Sequence, residues 1–392
     1  EALEHESLLS DPRTVHRESC RCWNMAAEHV AEWPRCIVDV PIYKERYILD
    51  WADFPASFRS DVEAMLDAAR RTDPLVETTL PRINAITAKD RSQQLRRLAS
   101  AAVLNGIVPE RLRGIADLVQ VDVAKAALRF YLERSNNKLT SRIHDSSWLI
   151  WMLARHWVGV DEGHLHELRQ LIRRLDPGRR GMTDKNRNTL RQFNDADRIK
   201  ALLALPDRCY AHLPPGQTPG LRQAVELQVA LAVALLTAAP VRIRNLASIH
   251  LQRNIVRTGK KTHLYFPGEE VKNGLEMEFP LPLHVSDLLD RYVHDVRPAA
   301  VRAPNDWLFP GEQAGHKQPS LLSSQIADLV EAHIGVRMTA HQFRHLAGYI
   351  FLREHPGGHE VVRRLLGHRS ITTTIEFYAG MEVTEAVRHY DQ

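Results

Sequence analysis

The stretch Thr339–Gly348 reads TAHQFRHLAG, with His341 and His345 four residues apart. On a helix that spacing puts both rings on one face, the geometry of the zinc motif H-E-x-x-H. The position of the glutamate that activates a metal-bound water holds Gln342 instead. Thr339 followed three residues later by Gln342 is a capping-box pattern. It starts a helix at Thr339, with His341 in the first turn and Arg344 one turn along the same face. The free N–H groups and the positive end of the helix dipole point the same way, which suits an anion. An arginine between the two histidines, with no third ligand or base in evidence, makes a poor zinc site. No metal is expected.

Three other stretches carry related chemistry. Downstream, VVRRLLGHRSITTTIEFYAG (361–380) reads as a helix that ends at Gly367, with His368 next. Thr373-x-x-Glu376 reads as a second capping box, opening a short helix that carries Tyr378. Upstream, PVRIRNLASI (240–249) places Arg242 just after Pro240, where one helix stops and another starts. Between them, THLYFPGEEVKNGLEMEFPLP (262–282) holds two strand-like runs around Asn273-Gly274, a hairpin signal with Lys272 at its tip.

Singly, each residue is ordinary: a histidine after a helix end is usually structural, and a tyrosine near a C-terminus usually packs. The set is two arginines, two histidines, a lysine and a tyrosine, with no carboxylate pair or phosphate loop beside them. Such a set can neutralise a phosphodiester and attack it with a phenol.

The chain of 392 residues is long enough for two or three domains. Its hydrophobic share of 44% and charged share of 26% are those of ordinary globular proteins. A net charge of +4 permits a nucleic-acid partner without requiring one. Four cysteines are too few for a disulfide scaffold and point to a reducing compartment. Cys20-x-Cys22, near His16, has no second pair to complete a zinc set. The acidic opening EALEHESLL is not a signal peptide, and the apolar run Val229–Val241 is short of a membrane span.

Helices are expected near Val15–Ala31 and Ser57–Ala69, then at Lys89–Leu104, Val121–Arg134 and Ser141–Trp157. A further one places Leu165, Leu168, Leu171, Ile172 and Leu175 on one stripe. DPGRRGMTDKNR, Asp176–Arg187, reads as a basic, exposed linker. Helices at Ala196–Leu205 and Leu221–Ala238, the hairpin and three or more C-terminal helices follow.

From about Asn194 to Tyr378 the chain resembles the catalytic domain of the tyrosine recombinases, the phage-integrase family. The resemblance rests on Arg242 in VRIRNL, Lys272 in the hairpin, HQFRH, LLGHRS and the tyrosine of TTTIEFY, with DWLFP ahead of HQFRH. The segment Thr87–Leu175 resembles the family's core-binding domain by helix count and position only. Two departures are Asn245, where the family often has an acidic residue, and a histidine-to-tyrosine spacing one longer than in some members.

The resemblance implies a multidomain, mainly α protein: a helical, SAM-like core-binding domain, then an α+β catalytic domain with a small antiparallel sheet. The expected layout is an N-terminal helical extension (1–85), whose role the sequence does not show, then a core-binding domain (86–176). A basic linker (177–190) and the catalytic domain (191–392) complete it.

The implied catalytic set is Arg242, Lys272, His341, Arg344, His368 and the nucleophile Tyr378. Arg179, Arg180, Lys185, Arg187, Lys260 and Lys261 are expected to contact DNA. No cofactor is implied. The implied partners are double-stranded recombination sites, sister copies in a tetrameric synaptic complex, and accessory DNA-bending or directionality proteins, in the bacterial cytoplasm at the nucleoid and not at a membrane. The alternatives are strand cleavage without synapsis, as in type IB topoisomerases, and a DNA-binding protein without catalysis.

Overall fold

The computed structural model describes residues 12–40, 47–71, 79–178, 181–214, 216–259 and 261–378. Arg179, Arg180 and Lys260, expected to contact DNA, lie outside the described residues. The chain divides into two compact units, 1–179 and 180–392.

The first unit is helical. Its main helices are Pro12–His29, Ala56–Arg70, Ala85–Leu104, Val121–Arg134, Ser141–Leu153 and Glu162–Arg174. The boundaries follow from local chemistry. Asn84 caps Ala85–Leu104 by accepting from the Thr87 N–H at 2.8 Å, and Asp161 does the same for His164 at 3.1 Å. The helix expected to run to Trp157 changes at Ala154 into a π turn ending at Val158, before Gly159 at φ +72°. One apolar core joins Phe58, Val62 and Met65 of Ala56–Arg70 to Leu95, Leu128, Ile150 and Leu165. The helix read from sequence as part of an N-terminal extension therefore shares its core with the helices after residue 85.

The second unit packs its helices around Leu221–Ala238, whose buried residues run from Ala224 to Leu236. That helix is long and apolar enough to cross a membrane, yet here it is the centre of a core shared with Phe193, Tyr210, Tyr292, Phe309 and Phe343. A three-stranded antiparallel sheet stands in order β1 (Ile255–Thr258), β2 (Lys261–Phe266), β3 (Met277–Pro280). The fold class is the one expected: mainly helical, with a small antiparallel sheet in the C-terminal half.

The hairpin differs in detail. β2 and β3 do pair, with Phe266 opposite Met277, but residues 267–276 separate them. Asn273-Gly274 is therefore not a two-residue hairpin turn. It belongs to a turn within that longer loop, closed by the Gly274 N–H to the Val271 carbonyl at 2.9 Å, with Gly274 at φ +70°. β1, which pairs with β2 from Ile255↔Leu264 to Thr258↔Lys261, is an additional strand.

Candidate active site

The HQFRH helix runs Ala340–Glu354 and begins as the sequence requires: the Thr339 N–H donates to Gln342 Oε1 at 2.8 Å. Gln342 has a second task. It is buried, and its Nε2 donates to Thr189 Oγ1 at 3.2 Å and Asn186 Oδ1 at 3.3 Å. Both acceptors lie on the helix Asp184–Arg191, which Thr183 caps. The sequence reading placed Lys185 and Arg187 in a linker. They stand instead on this docked helix, because Thr189 and Leu190 give it a buried face. Lys185 is exposed and Arg187 half-buried.

Arg344 is the centre of the arrangement. It is 2% exposed and donates from Nη1 to the Pro240 carbonyl and from Nη2 to the Leu366 carbonyl. Pro240 is two residues before Arg242, and Leu366 two before His368. One guanidinium thus holds the backbone ahead of both other phosphate-binding candidates. Arg242 is the N-cap residue of the short helix Ile243–Ala247, and its Nη1 is buried with no hydrogen-bond partner among the described residues. Asn245, at the departure from the family pattern, donates to the Glu270 carbonyl at 2.9 Å.

His368 is placed by the end of the helix His359–Leu365. The Gly367 N–H bonds the Arg364 carbonyl at 3.0 Å and the His368 N–H bonds the Arg363 carbonyl at 2.9 Å, a Schellman closure with Gly367 at φ +57°. The side chain is then fixed by Thr374, whose Oγ1 lies 2.9 Å from His368 Nδ1. Thr374 is on the helix 371–378 that carries Tyr378. That helix starts three residues earlier than Thr373-x-x-Glu376 suggested, at Ile371 rather than Thr374. Ser370 Oγ, which accepts from the Thr372 N–H at 3.2 Å, supplies its first-turn bond. Tyr378 is 1% exposed, and its hydroxyl has no hydrogen-bond partner among the described residues.

His341 stands exposed at the first turn, its ring 4.4 Å from the buried His345 ring, edge to face. His345 in turn stacks on Phe377, next to the tyrosine, at 4.4 Å.

Burial, then the Arg242 cation, lowers the Arg344 pKa to about 10, which leaves it charged at neutral pH. Burial and the Arg344 and Arg242 cations push His368 down to about 4. His341, exposed by surface area yet partly desolvated by the protein around its ring, is lowered by that desolvation and by the same two cations. Burial, with His341 and Arg344 beside it, takes His345 to about 3. All three imidazoles are neutral at pH 7. Burial raises the Tyr378 phenol, and Arg344 partly opposes the shift. Among the described residues, neither Arg242 nor Arg344 has a carboxylate partner.

Arg242, His341, Arg344, His368 and Tyr378 are thus brought together. Lys272 is exposed on the β2–β3 loop, but its neighbour Asn273 is tied beside His368. The Asn273 side chain donates to the Gly367 carbonyl, and Arg369 donates to the Asn273 carbonyl at 3.2 Å. Lys261 is exposed at the start of β2. Away from this constellation, Cys209, Glu226 and His333 bring three possible ligand atoms within 4.8 Å of one another; Cys209 is buried and the other two exposed.

Residues 195–384 match the model of the phage integrase family. That segment is similar to the phage integrase domain. It contains five of the six expected catalytic residues in the constellation above, and Lys272 on the adjoining loop. Among solved structures, the chain is similar to the XerH site-specific recombinase bound to difH substrate, a pre-cleavage complex, at 12% identity over 93% of each chain and a TM-score of 0.50. It is also similar to a lambda integrase tetramer bound to a Holliday junction, at 14% identity over 80% of this chain and 78% of that one, TM-score 0.42. At such identities the XerH likeness speaks for the fold alone. No protein of curated function matches the chain in sequence.

Proposed function

We propose that this integrase-like segment makes the chain a site-specific DNA recombinase that cuts and rejoins duplex DNA through a 3′-phosphotyrosine intermediate. The observation that carries the reading is an uncompensated buried cation. Among the described residues Arg344 is bonded only to neutral carbonyls, Arg242 Nη1 and the Tyr378 hydroxyl lack partners, and each arginine lowers the pKa of the histidines near it. Buried positive charge without a counter-charge is costly. A phosphodiester supplies that charge together with acceptors for the free donors.

The residues take these roles. Arg242 and Arg344 hold the non-bridging oxygens, where planar forks fit phosphate better than an ammonium does. The Tyr378 oxygen forms a bond to phosphorus as the bond to the 5′-oxygen breaks. His341, neutral at pH 7, accepts the phenol proton, and His368 donates a hydrogen bond to the phosphate. Lys272 protonates the leaving 5′-oxygen. A 5′-hydroxyl from a partner strand then reverses the step, so one phosphoester replaces another and no energy-rich cofactor is consumed.

Exchange of both strands of two duplexes needs four nucleophiles, hence four copies on two recombination sites. Lys185, Arg187 and Lys261, with Arg179, Arg180 and Lys260, contribute phosphate contacts. Accessory DNA-bending or directionality proteins would select among the outcomes. The work belongs with the chromosome, in the cytoplasm.

The test is covalent capture from a pool of random-sequence nicked duplexes, in which loss of the short downstream strand traps the intermediate. An SDS-resistant adduct is expected from the unaltered chain, with the peptide containing Tyr378 carrying the nucleotide. An adduct retained in Tyr378→Phe, at Tyr390 or elsewhere, overturns the assignment.

A further inference from the structure

The hydrogen bond between His368 and Thr374 has consequences for the chemistry of the imidazole. Thr374 is fully buried, and its Oγ1 lies 2.9 Å from His368 Nδ1. A helical threonine commonly returns its hydroxyl to a carbonyl three or four residues back; among the described residues the Thr374 hydroxyl has only the histidine as partner. Thr374 also stands four residues before Tyr378 on the helix 371–378, so the two share a face. The same contact joins the imidazole to the helix of the nucleophile.

A neutral imidazole has one N–H, and the partner of one ring nitrogen decides which nitrogen carries it. His368 is neutral at pH 7 because burial and the two arginines hold its pKa at about 4. With the threonine hydroxyl donating to Nδ1, the proton sits on Nε2, which is then a donor. In the opposite tautomer Nε2 would turn a lone pair toward an anion and repel it. We propose that Thr374 is a positioning residue: its hydroxyl donates to His368 Nδ1, fixes the Nε2–H tautomer that can donate to phosphate, and holds the His368 loop in register with the Tyr378 helix. This rests on the phosphate-binding role given to His368 above.

The first measurement is made on the free full-length chain with ¹⁵N-labelled histidine. The ring-nitrogen shifts of His368, assigned by difference against His368→Gln, should show a bare Nδ1 and a protonated Nε2. Thr374→Val, which keeps the shape and loses the donor, should move population toward Nδ1–H, and Thr374→Ser should not. On captured site DNA, Thr374→Val should form adduct on the order of 10-fold more slowly, a smaller loss than removing a transition-state donor outright. Its DNA affinity should be unchanged and Thr374→Ser should restore the rate. A role in stability alone would lower the melting temperature and leave the tautomer as it was.

A protonated Nδ1 in the unaltered chain overturns the proposal, whatever the variants do. So does an unimpaired cleavage rate in Thr374→Val. Failure of the recombinase reading is separate: it would show as an adduct persisting in Tyr378→Phe, and the tautomer measurement does not depend on it.

Discussion

Tyr378 is seated on Gly348. A β-carbon placed at 348 would come within 2.7 Å of Tyr378 Cζ, closer still to the hydroxyl, and 3.1 Å from Val362 Cγ1. Gly348 lies one turn beyond Arg344 on the HQFRH helix, so the ring of the proposed nucleophile rests on the helix that carries the central arginine. Glycine inside a helix ordinarily costs about 1 kcal/mol relative to alanine; here the space it leaves is occupied by the tyrosine. Gly348→Ala should therefore destabilise the chain by about 1–3 kcal/mol through overpacking and slow adduct formation as the ring is displaced. In a Tyr378→Ala background the penalty of the same substitution should shrink or vanish, because the clash with the ring is gone and the helix preference is set only against the tight contact with Val362 Cγ1. Urea unfolding of the four proteins in this cycle decides it, and an equal penalty in both backgrounds would show that the tyrosine is not what fills the space.

The two arginines should separate by stability. Arg344 bonds two buried carbonyls, each bond from a charged group contributing about 1.5–3 kcal/mol. Arg242 has a buried Nη1 with no partner among the described residues. Arg344→Ala should cost about 3 kcal/mol of folding stability and Arg242→Ala about 1 kcal/mol or less. Both should slow cleavage by about 10²–10³. Denaturant midpoints read beside adduct rates test this, and equal destabilisation by the two would mean that Arg344 does not hold the Pro240 and Leu366 segments.

The histidines give the chain an acid-sensitive site with a definite sign. His345 is held near about 3 and His368 near about 4, while an unfolded imidazole titrates near 6.5. Between those limits the unfolded chain binds more protons than the folded one. Their contribution is therefore complete above pH 6.5, is lost as pH falls toward 4 and below, and levels off once the folded imidazoles are protonated. His345→Phe keeps a ring to stack on Phe377 and removes one of these titrations. The slope of the urea midpoint between pH 6.5 and 4 should be shallower in that variant. Identical slopes would mean that His345 protonates as easily in the folded chain as in the unfolded one.

Local patterns in the sequence were legible because local physics sets them. Thr339 and Gln342 cap a helix through atoms three residues apart, and Gly367 ends one through its own φ. These rules placed His341, Arg344 and His368 correctly on their elements. What tertiary proximity decides was not legible: Gln342 reaching Asn186 and Thr189, Asn273 reaching Gly367, and Gly348 receiving Tyr378 across 30 residues of chain. Thr374 was hidden for a different reason. In ITTT three threonines stand in a row, and only the helix start at Ile371, not Thr374, decides which of them faces His368. β1 was missed because only Ile255 of its four residues is even partly buried, which leaves no alternation to read. The Asn-Gly pair identified the right two strands while lying in a longer loop than it suggested.

That longer loop bears on the leaving-group acid. Lys272 is exposed, and the residue after it is anchored to both sides of His368 through Gly367 and Arg369. The lysine thus sits on a loop tethered beside His368, and its proposed role requires the side chain to enter the site once DNA fills it. Protonation of the leaving oxygen is the one step that a better leaving group makes unnecessary. A 5′-bridging phosphorothiolate departs as a thiolate, which is far less basic than an alkoxide and needs no general acid. Lys272→Ala should be slow on ordinary DNA and recover most of its cleavage rate on the phosphorothiolate. Asn273→Ala, which releases the tether, should show a smaller version of the same pattern, and Lys261→Ala, altered at the start of β2, should show no difference between the two substrates. If Lys272→Ala is equally slow on both, the lysine stabilises charge at phosphorus, and the acid is another group.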